Sequence, residues 1–221
     1  MYVVAVCGTK GGVGKTTIAA SLAACAAAHG HRSALVDLDP QESLAFWRRM
    51  RGRPDEPVVY TGDSSPKNVI DKLELSSDVD WVFLDSPPAF LDTIREMIEV
   101  ADYVVVPMRT SILDMAGNES VIGLVRQIGR PYLAVLNGLH KGDGTDISAQ
   151  EFLKEAEVPL AHARIHHSVA HIRAMSSGTV ASEVDGGRHK QAGAEIEALW
   201  HEVKAATERA SKARAKERAR V

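Results

Sequence analysis

The distribution of apolar positions divides the chain into short, nearly continuous hydrophobic runs separated by segments with helical spacing. Five of these runs do not alternate as half-exposed strands would, and they cover Tyr2–Cys7, Ser33–Asp37, Trp81–Asp85, Tyr103–Met108 and Tyr132–Asn137. Strands that are buried on both faces are typical of parallel sheets covered by helices. A shorter run at Val58–Thr61 predicts an edge strand.

Helical spacing of apolar residues fills the intervals between these runs. The predicted helices are Thr16–His29, Ser43–Arg51, Pro66–Leu75, Leu91–Ala101, Asp114–Ile128, Ile147–Ala156 and Val169–Ser177, with a long one from about Ala192 towards the end. This alternation, with right-handed crossovers, predicts an α/β fold with a doubly wound, mostly parallel sheet flanked by helices. No linker interrupts the pattern, so residues 1–221 are predicted to form a single domain that ends in a basic helix or tail at about 203–221.

The charge of the chain is unevenly distributed. The formal net charge is −3, but the segment 203–221 carries seven basic and two acidic side chains, which leaves −8 for the rest. A locally basic segment permits binding to a polyanion that the overall charge would not suggest.

The sequence contains no segment that indicates insertion into a membrane or secretion. No apolar run approaches the roughly 18 residues that span a bilayer, and the amino terminus lacks the basic and apolar regions of a secretion signal. We therefore expect a cytoplasmic protein. Its two cysteines, Cys7 and Cys25, are predicted to be buried free thiols, because their spacing matches neither a zinc nor an iron–sulfur site.

A glycine-rich loop, "GTKGGVGKTT" (Gly8–Thr17), joins the first strand to the first helix. The end of the phosphate-loop consensus G-x-x-x-x-G-K-[ST] is met by Gly14, Lys15 and Thr16, whereas its first glycine falls on Thr9. In such a loop the backbone N–H groups and the helix N-terminus surround phosphate oxygens. Lys15 is predicted to reach the β- and γ-phosphates, and the Thr16 hydroxyl to hold Mg²⁺.

Carboxylates follow two of the predicted strands. "LVDLDPQ" places Asp37 and Asp39 at the end of one strand, and "VFLDSPPA" places Asp85 at the end of another. Carboxyl ends of parallel strands form the ligand-binding edge of an α/β sheet, and phosphoryl transfer needs carboxylates there to position metal and water.

In this order and spacing, "KGGVGKTT", "LVDLDPQ" and "VFLDSPPA" resemble the ParA/MinD family of deviant Walker A ATPases, whose signature is K-G-G-x-G-K-[ST]. The pattern is most similar to the small ParA proteins of plasmid and cargo partitioning. The resemblance implies a P-loop NTPase fold that binds ATP and Mg²⁺ and hydrolyses ATP slowly without a partner.

The resemblance also implies roles for particular residues. Lys10 would reach the nucleotide of the partner subunit in an ATP-bound homodimer, Asp39 would orient the attacking water, and Lys15 completes the catalytic set. Asp37 would lie near Mg²⁺ together with Thr16, and Asp85 would act on the metal through water. The nucleotide would be bound by Gly11, Gly12, Val13, Gly14, Lys15, Thr16, Thr17 and Asn137.

Two of these assignments involve segments after later strands. "VPMRTSILDMAG" (Val106–Gly117) resembles the segment that helps build the dimer interface. Asn137 ends a strand where the family often contacts adenine, but an Asn before Gly138 is equally typical of a turn.

Three classes of function fit the phosphate loop. The first is a partition ATPase that binds DNA non-specifically as an ATP dimer on the nucleoid, with hydrolysis stimulated by a ParB-like partner. The second is a membrane-cycling ATPase like MinD, and the third is a metabolic relative such as a nitrogenase-type reductase or a dethiobiotin synthetase-like ligase. The carboxyl terminus lacks the bulky apolar face of a membrane-targeting helix. Neither cysteine is placed to share a cluster as in the reductase, and no ligase substrate site is recognisable, so the first class is favoured, without membrane binding.

Candidate DNA contacts are basic residues in the last third of the chain. They are Arg164, Arg173, Arg188, Arg209, Lys212, Lys216 and Arg220. Lys212, Lys216 and Arg220 share one stripe of a helix, because they are four residues apart.

Four histidines, His162, His166, His167 and His171, also cluster in this part of the sequence. Pairs at i, i+4 could bind a metal on a continuous helix, but the predicted helix begins only near Val169. The pattern therefore favours surface or nucleotide-proximal histidines over metal ligands.

Overall fold

The computed structural model describes residues 1–221 except 54, 55, 63, 64, 77, 89, 143, 185 and 219–221. Its strands are β1 (Tyr2–Val6), β2 (Ser33–Asp37), β3 (Val58–Tyr60), β4 (Trp81–Asp85), β5 (Tyr103–Met108), β6 (Tyr132–Leu139) and β7 (Ile165–His166). They form one parallel sheet in the order β3-β2-β4-β1-β5-β6-β7. The predicted fold class is confirmed, with β3 at one edge as its weaker pattern indicated.

Helices connect successive strands and cover both faces of the sheet. They are α1 (Lys15–Ala28), α2 (Ser43–Met50), α3 (Pro66–Ser76), α4 (Leu91–Val100), α5 (Ile112–Ala116), α6 (Glu119–Ile128), α7 (Thr145–Glu155), α8 (Val169–Ser176) and α9 (Gly187–Arg218), with a 3-10 turn at Ala181–Glu183. Most bounds lie within two residues of the predicted ones, which is the usual variation at helix ends.

The continuous apolar runs are explained by two cores, one on each face of the sheet. In β1, Val4 and Val6 belong to the core that contains α1, α2 and α9. Val3 and Ala5 belong to the core that contains α3, α4, α6 and α7. Because successive side chains point to opposite faces, a strand covered on both sides must be apolar at every position.

The strand register brings three strand ends together. Asp85 of β4 lies beside Val6 of β1 on one side and beside Asp37 of β2 on the other. The loops that follow β1, β2 and β4 therefore meet at one edge of the sheet.

One predicted helix is wrong in its extent. The pattern predicted a continuous helix over Asp114–Ile128, but the helix is interrupted at Gly117 and Asn118, between α5 and α6. Asn118 is fully buried, and its side chain donates to the Asp114 carbonyl and accepts from the Thr9 N–H. These side-chain bonds to the backbone compete with helical ones and redirect the chain.

Two further elements differ from the prediction. The sequence did not indicate β7, because a strand of two residues is too short to show a pattern. The last helix begins at Gly187 rather than near Ala192, and it does not detach from the body as a free tail. Val203 and Thr207 are buried, and the Arg214 guanidinium lies 3.6 Å from an Asp102 carboxylate oxygen.

Candidate nucleotide-binding site

The glycine-rich loop lies between β1 and α1, at the edge where the strand ends meet. Gly14 caps α1 with φ 93°, a left-handed conformation that favours glycine. A Cβ on Gly14 would also lie only 2.2 Å from Asn137 Nδ2. Both the backbone conformation and the close approach of Asn137 therefore require glycine at this position.

A Gly14→Ala variant is expected to be strongly destabilised. The left-handed backbone alone should lower the free energy of unfolding by about 1–3 kcal/mol, and the clash with Asn137 adds to this. Urea denaturation without nucleotide measures the loss. Gly11→Ala is the matched control in the same loop, because its Cβ would meet nothing within 4 Å and its φ is not positive. Equal stability of the two variants would contradict this account.

Asn137, predicted to be near adenine, contacts the loop itself. Its Nδ2 donates to the Val13 carbonyl at 2.7 Å, and the residue also lines the adjoining cavity. Gly138 follows with φ 76°, but both residues lie within β6, which continues to Leu139 past an irregularity in its pairing with β7. The expected turn after Asn137 is therefore wrong, and the contact of Asn137 with adenine stays a prediction.

Lys15 is buried inside the loop. Its ammonium donates to the Lys10 carbonyl at 3.0 Å. Burial lowers the pKa of Lys15, and the carboxylates of Asp85 and Asp39 oppose this decrease. A phosphate oxygen is a stronger acceptor than a carbonyl, because the hydrogen bond then joins two opposite charges.

Lys10 has different surroundings from Lys15. Its aliphatic chain lies against Gly117, where a Cβ would be 2.3 Å from Lys10 Cε. Lys10 is half-buried and lies outside the residues that line the cavity beside the loop. The Lys10 side chain therefore extends over the junction between α5 and α6 rather than into the cavity of its own subunit.

Asp85 is the carboxyl group of the site whose pKa is shifted furthest from its ordinary value. Its two carboxylate oxygens are buried and have no well-formed hydrogen bond with any described residue. Burial raises the pKa of Asp85 to about 8; the Thr16 hydroxyl and Lys15 oppose this rise, whereas Asp37 and Asp39 reinforce it. A buried carboxyl group without partners, beside two further carboxylates and a threonine hydroxyl, fits a hard divalent cation such as Mg²⁺.

The other two carboxylates are held by the backbone. Asp37 accepts N–H groups from Asp39 at 3.1 Å and from Leu44 at 2.9 Å, so it also orders the start of α2. Burial raises the pKa of Asp37, and these two hydrogen bonds oppose the rise. Asp39 accepts from Gln41 N–H at 2.9 Å and lines the cavity.

The raised pKa of Asp85 predicts a pH-dependent stability. The unfolded chain releases this proton near pH 4 and the folded protein near pH 8, so the contribution of Asp85 to the free energy of unfolding falls as pH rises across this interval. In EDTA without nucleotide, Asp85→Asn should remove this component. The melting temperature of the variant, relative to wild type, should therefore rise with pH.

Asp71→Asn provides the control for this measurement, because Asp71 is an exposed aspartate on α3. Its melting curves should follow those of the wild type at every pH. A constant difference between Asp85→Asn and wild type from pH 4 to pH 8 would contradict the prediction.

A cavity of about 370 Å³ opens beside the loop. Besides the loop it is lined by Ile18, Asp39, Pro88, Arg109, Asn137, Gly138, Ile165, His166, His167, Ser168, His171, Ile172 and Ile196. Its size is within the range of small-molecule sites. Three of the four clustered histidines, His166, His167 and His171, line this cavity, and their closeness to a nucleotide stays a prediction.

Sequence reasoning missed three polar residues that hold the loop. Arg109 donates to the Gly12 carbonyl at 3.0 Å, Ser86 Oγ accepts the Gly8 N–H at 3.3 Å, and Asn118 accepts the Thr9 N–H. Two of them could have been found from their position in the sequence, because Ser86 and Arg109 each directly follow a strand that ends at this edge.

The candidate DNA contacts differ in their exposure to solvent. Arg173 on α8 and Arg209, Lys212 and Lys216 on α9 are exposed. Arg164 is half-buried and donates to backbone carbonyls of residues 161–163. The Arg188 side chain and the whole of Arg220 lie outside the part of the chain that the structure describes.

Comparisons with known proteins support the sequence resemblance. A family model described as the CobQ/CobB/MinD/ParA nucleotide binding domain matches residues 4–204. The maintenance of carboxysome distribution protein A of Gloeobacter kilaueensis is 33% identical over 205 residues, which cover 91% of this chain and 93% of that protein.

Solved structures show the same fold. The MinD cell division protein of Aquifex aeolicus is similar with a TM-score of 0.75 at 15% identity, over 93% of this chain and 98% of that chain. Apo McdA of Cyanothece is similar with a TM-score of 0.68 at 20% identity, over 90% and 99% of the two chains. The P-loop NTPase fold predicted from the sequence is confirmed. Among the described helices, none combines the length and apolar character needed to cross a bilayer.

Proposed function

We propose that this chain, which belongs to the CobQ/CobB/MinD/ParA family of nucleotide-binding proteins, is a Mg²⁺-dependent ATPase. In this proposal it dimerises around ATP and positions a cargo. Its relatives include proteins named for chromosome partitioning and for carboxysome distribution. The observation that carries the proposal is that the phosphate loop holds a buried lysine, Lys15, at the same edge of the sheet as the buried carboxyl group of Asp85, which has no well-formed hydrogen bond with any described residue.

The residues of the loop bind and orient the nucleotide phosphates. The N–H groups of Gly11 to Thr17 and the start of α1 provide donors and a positive helix end, and Lys15 provides a buried cation. Thr16 and Asp37 would hold Mg²⁺, and Asp85 would act on it through water. The metal, when bound, would supply positive charge that stabilises the phosphates. Several solved structures with this fold contain nucleotide, and one is a Mg-ADP complex of MinD from Pyrococcus horikoshii.

Asp39 is proposed to orient the water that attacks the γ-phosphate. It lines the cavity and is half-buried, and its Oδ1 is fixed by the Gln41 N–H. The second carboxylate oxygen is left to accept a proton of the water, which is the function of a positioned base.

Dimerisation is proposed from the position of Lys10 and of the segment after β5. Ile112 and Leu113 at the start of α5 are 60% and 77% exposed and form an apolar surface. Lys10 lies against Gly117, the residue that follows α5. An ATP-bound partner that covers this surface would receive the Lys10 ammonium on its phosphates, so that hydrolysis would weaken the dimer.

Non-specific DNA binding on the nucleoid, and stimulation by a ParB-like or cargo-adaptor partner, complete the proposal. The exposed basic residues of α9 support it, because two copies in a symmetric dimer would present a double basic stripe to phosphates. The cargo is proposed to be a plasmid, a chromosome or a protein assembly. The relative named for carboxysome distribution favours a protein assembly.

A charge-reversal experiment tests the DNA step. Binding to random-sequence duplex DNA is measured with Mg-ATP over a series of salt concentrations. Lys212→Glu with Lys216→Glu should weaken binding and reduce the slope of log K against log salt by about 0.9 for each phosphate contact removed. Lys67→Glu with Lys154→Glu is the matched control, since both lysines are exposed on other helices. Binding that does not depend on salt, or equal losses in the two double variants, would exclude this surface.

A further inference from the structure

A second cluster of potential ligands lies at the end of α1 opposite the phosphate loop. Cys25 lies in α1 and His29 is its C-cap, while Glu197 and His201 lie in α9. Residues four apart lie on the same face of a helix. The two pairs therefore approach each other where α1 packs against α9.

Three side chains of this cluster place ligand atoms close together. His29 Nε2 lies 3.6 Å from Glu197 Oε2, and the His29 and His201 rings are 5.4 Å apart and nearly perpendicular. One ligand atom from each of the three residues lies within 4.8 Å of the others. Two ligands of a tetrahedral Zn²⁺, each about 2.1 Å from the metal, are about 3.4 Å apart. Small side-chain rotations suffice to close this arrangement around a metal.

Neighbouring groups already orient two of the ligands. His29 Nδ1 lies 2.8 Å from the Cys25 carbonyl oxygen, so Nδ1 carries the proton and the lone pair of Nε2 faces Glu197. The Cys25 thiol donates to Glu197 Oε1 at 3.4 Å, which leaves Oε2 towards the histidine. Hydrogen bonds of this kind fix the ligands of protein metal sites.

Cys25 acts as a donor rather than as a ligand. It is buried, its Sγ lies 3.5 Å from Ser182 Oγ as well as 3.4 Å from Glu197 Oε1, and it is not one of the three residues whose ligand atoms lie together. His29 and His201 are exposed, so a metal can enter from solvent.

We propose that His29, Glu197 and His201 form a Zn²⁺ site, with water as the fourth ligand. Two histidines and one carboxylate are a known ligand set for zinc with an open position. The site joins the end of the helix that begins at the phosphate loop to the helix that carries the exposed basic residues. It is separate from the proposed magnesium site and does not depend on the proposed ATPase activity. The ordinary alternative is a surface ion pair between His29 and Glu197, which has no particular affinity for a metal.

The test uses the full chain, stripped of metal with EDTA and then saturated with Mg-ADP to occupy the phosphate site. Zn²⁺ is titrated in competition with a chromophoric chelator, and melting temperatures are measured with and without Zn²⁺. We expect one Zn²⁺ per chain and an increase in melting temperature. Co²⁺ should give the visible d–d bands of a four-coordinate site without a sulfur-to-metal charge-transfer band.

Variants identify the ligands. His201→Ala and Glu197→Gln should each weaken Zn²⁺ binding at least about tenfold and remove the increase in melting temperature. His162→Ala is the matched control, because His162 is an exposed histidine that is not one of the three clustered residues, and it should bind like wild type. His167→Ala tests a second histidine pair, since the His167 ring lies 5.1 Å from that of His140.

Three results would overturn the proposal. The first is stoichiometric binding that His201→Ala and Glu197→Gln leave intact. The second is a loss of binding in His167→Ala or His162→Ala instead. The third is the absence of Zn²⁺ binding by folded wild-type protein, which would leave only the ion pair.

Discussion

Asp39→Ala should bind Mg-ATP and form a dimer, while hydrolysing ATP at least about 100-fold more slowly than the wild type. A positioned group that handles a proton contributes about two to four orders of magnitude to a rate. Asp39 lines the cavity but is not part of the loop that holds the phosphates. Its loss should therefore remove turnover without removing binding, and the ATP-bound dimer should accumulate. Phosphate release and sedimentation with ATP measure the two effects.

Asp39→Asn separates the chemical role of this residue from its structural one. An asparagine keeps the oxygen that accepts the Gln41 N–H, so the loop after β2 should retain its conformation. It loses the negative charge, so hydrolysis should be nearly as slow as in Asp39→Ala. Full turnover in Asp39→Asn would show that Asp39 serves only to shape the loop, and normal turnover in both variants would contradict the assignment of the water-orienting residue.

Lys10→Met should abolish ATP-dependent dimerisation at protein concentrations at which the wild type is dimeric. Methionine retains an aliphatic chain that can cover Gly117 but lacks the ammonium. Removing one member of a buried charge pair at an interface costs about 2–5 kcal/mol, and a two-fold dimer contains the pair twice. Because the Lys10 side chain lies outside its own cavity, binding of nucleotide by the monomer should change little.

The control is Lys10→Arg, which keeps a cation of similar reach. It should dimerise more than Lys10→Met does, and both variants should bind ADP like the wild type in titration calorimetry. Sedimentation with ADP and with a non-hydrolysable ATP analogue measures the oligomeric state. An unchanged ATP-dependent dimer in Lys10→Met would contradict the cross-subunit role, and loss of ADP binding would place Lys10 in its own site.

Local sequence patterns predicted most of the fold because the sheet is covered on both faces. Such strands are apolar at every position, and the helices between them show a clear helical spacing. The pattern failed at Asn118, where a buried side chain interrupts a segment that is apolar enough to be one helix. It also failed at β7, which has only two residues and is defined by its pairing with β6 rather than by a local pattern.

The phosphate loop and its carboxylates were predictable for a different reason. Gly14, Lys15 and Thr16 are consecutive, and Asp37, Asp39 and Asp85 end apolar runs, so residue type and local position are sufficient. The environment of these residues was not predictable. That Asp85 is buried without a well-formed hydrogen bond, and that Lys10 and Lys15 lie in different surroundings, depend on residues from several other elements.

By itself, the sequence determined the class of the sheet, the phosphate loop and the acidic residues at the ends of its strands. These depend on the periodicity of a single segment or on neighbouring residues in the chain. Only the tertiary structure decided which groups hold the loop in place and which histidines lie beside a carboxylate. Arg109 reaches Gly12 across 97 positions of the sequence, and Glu197 meets Cys25 across 172. Such contacts arise from the packing of strands and helices, and no local pattern encodes them.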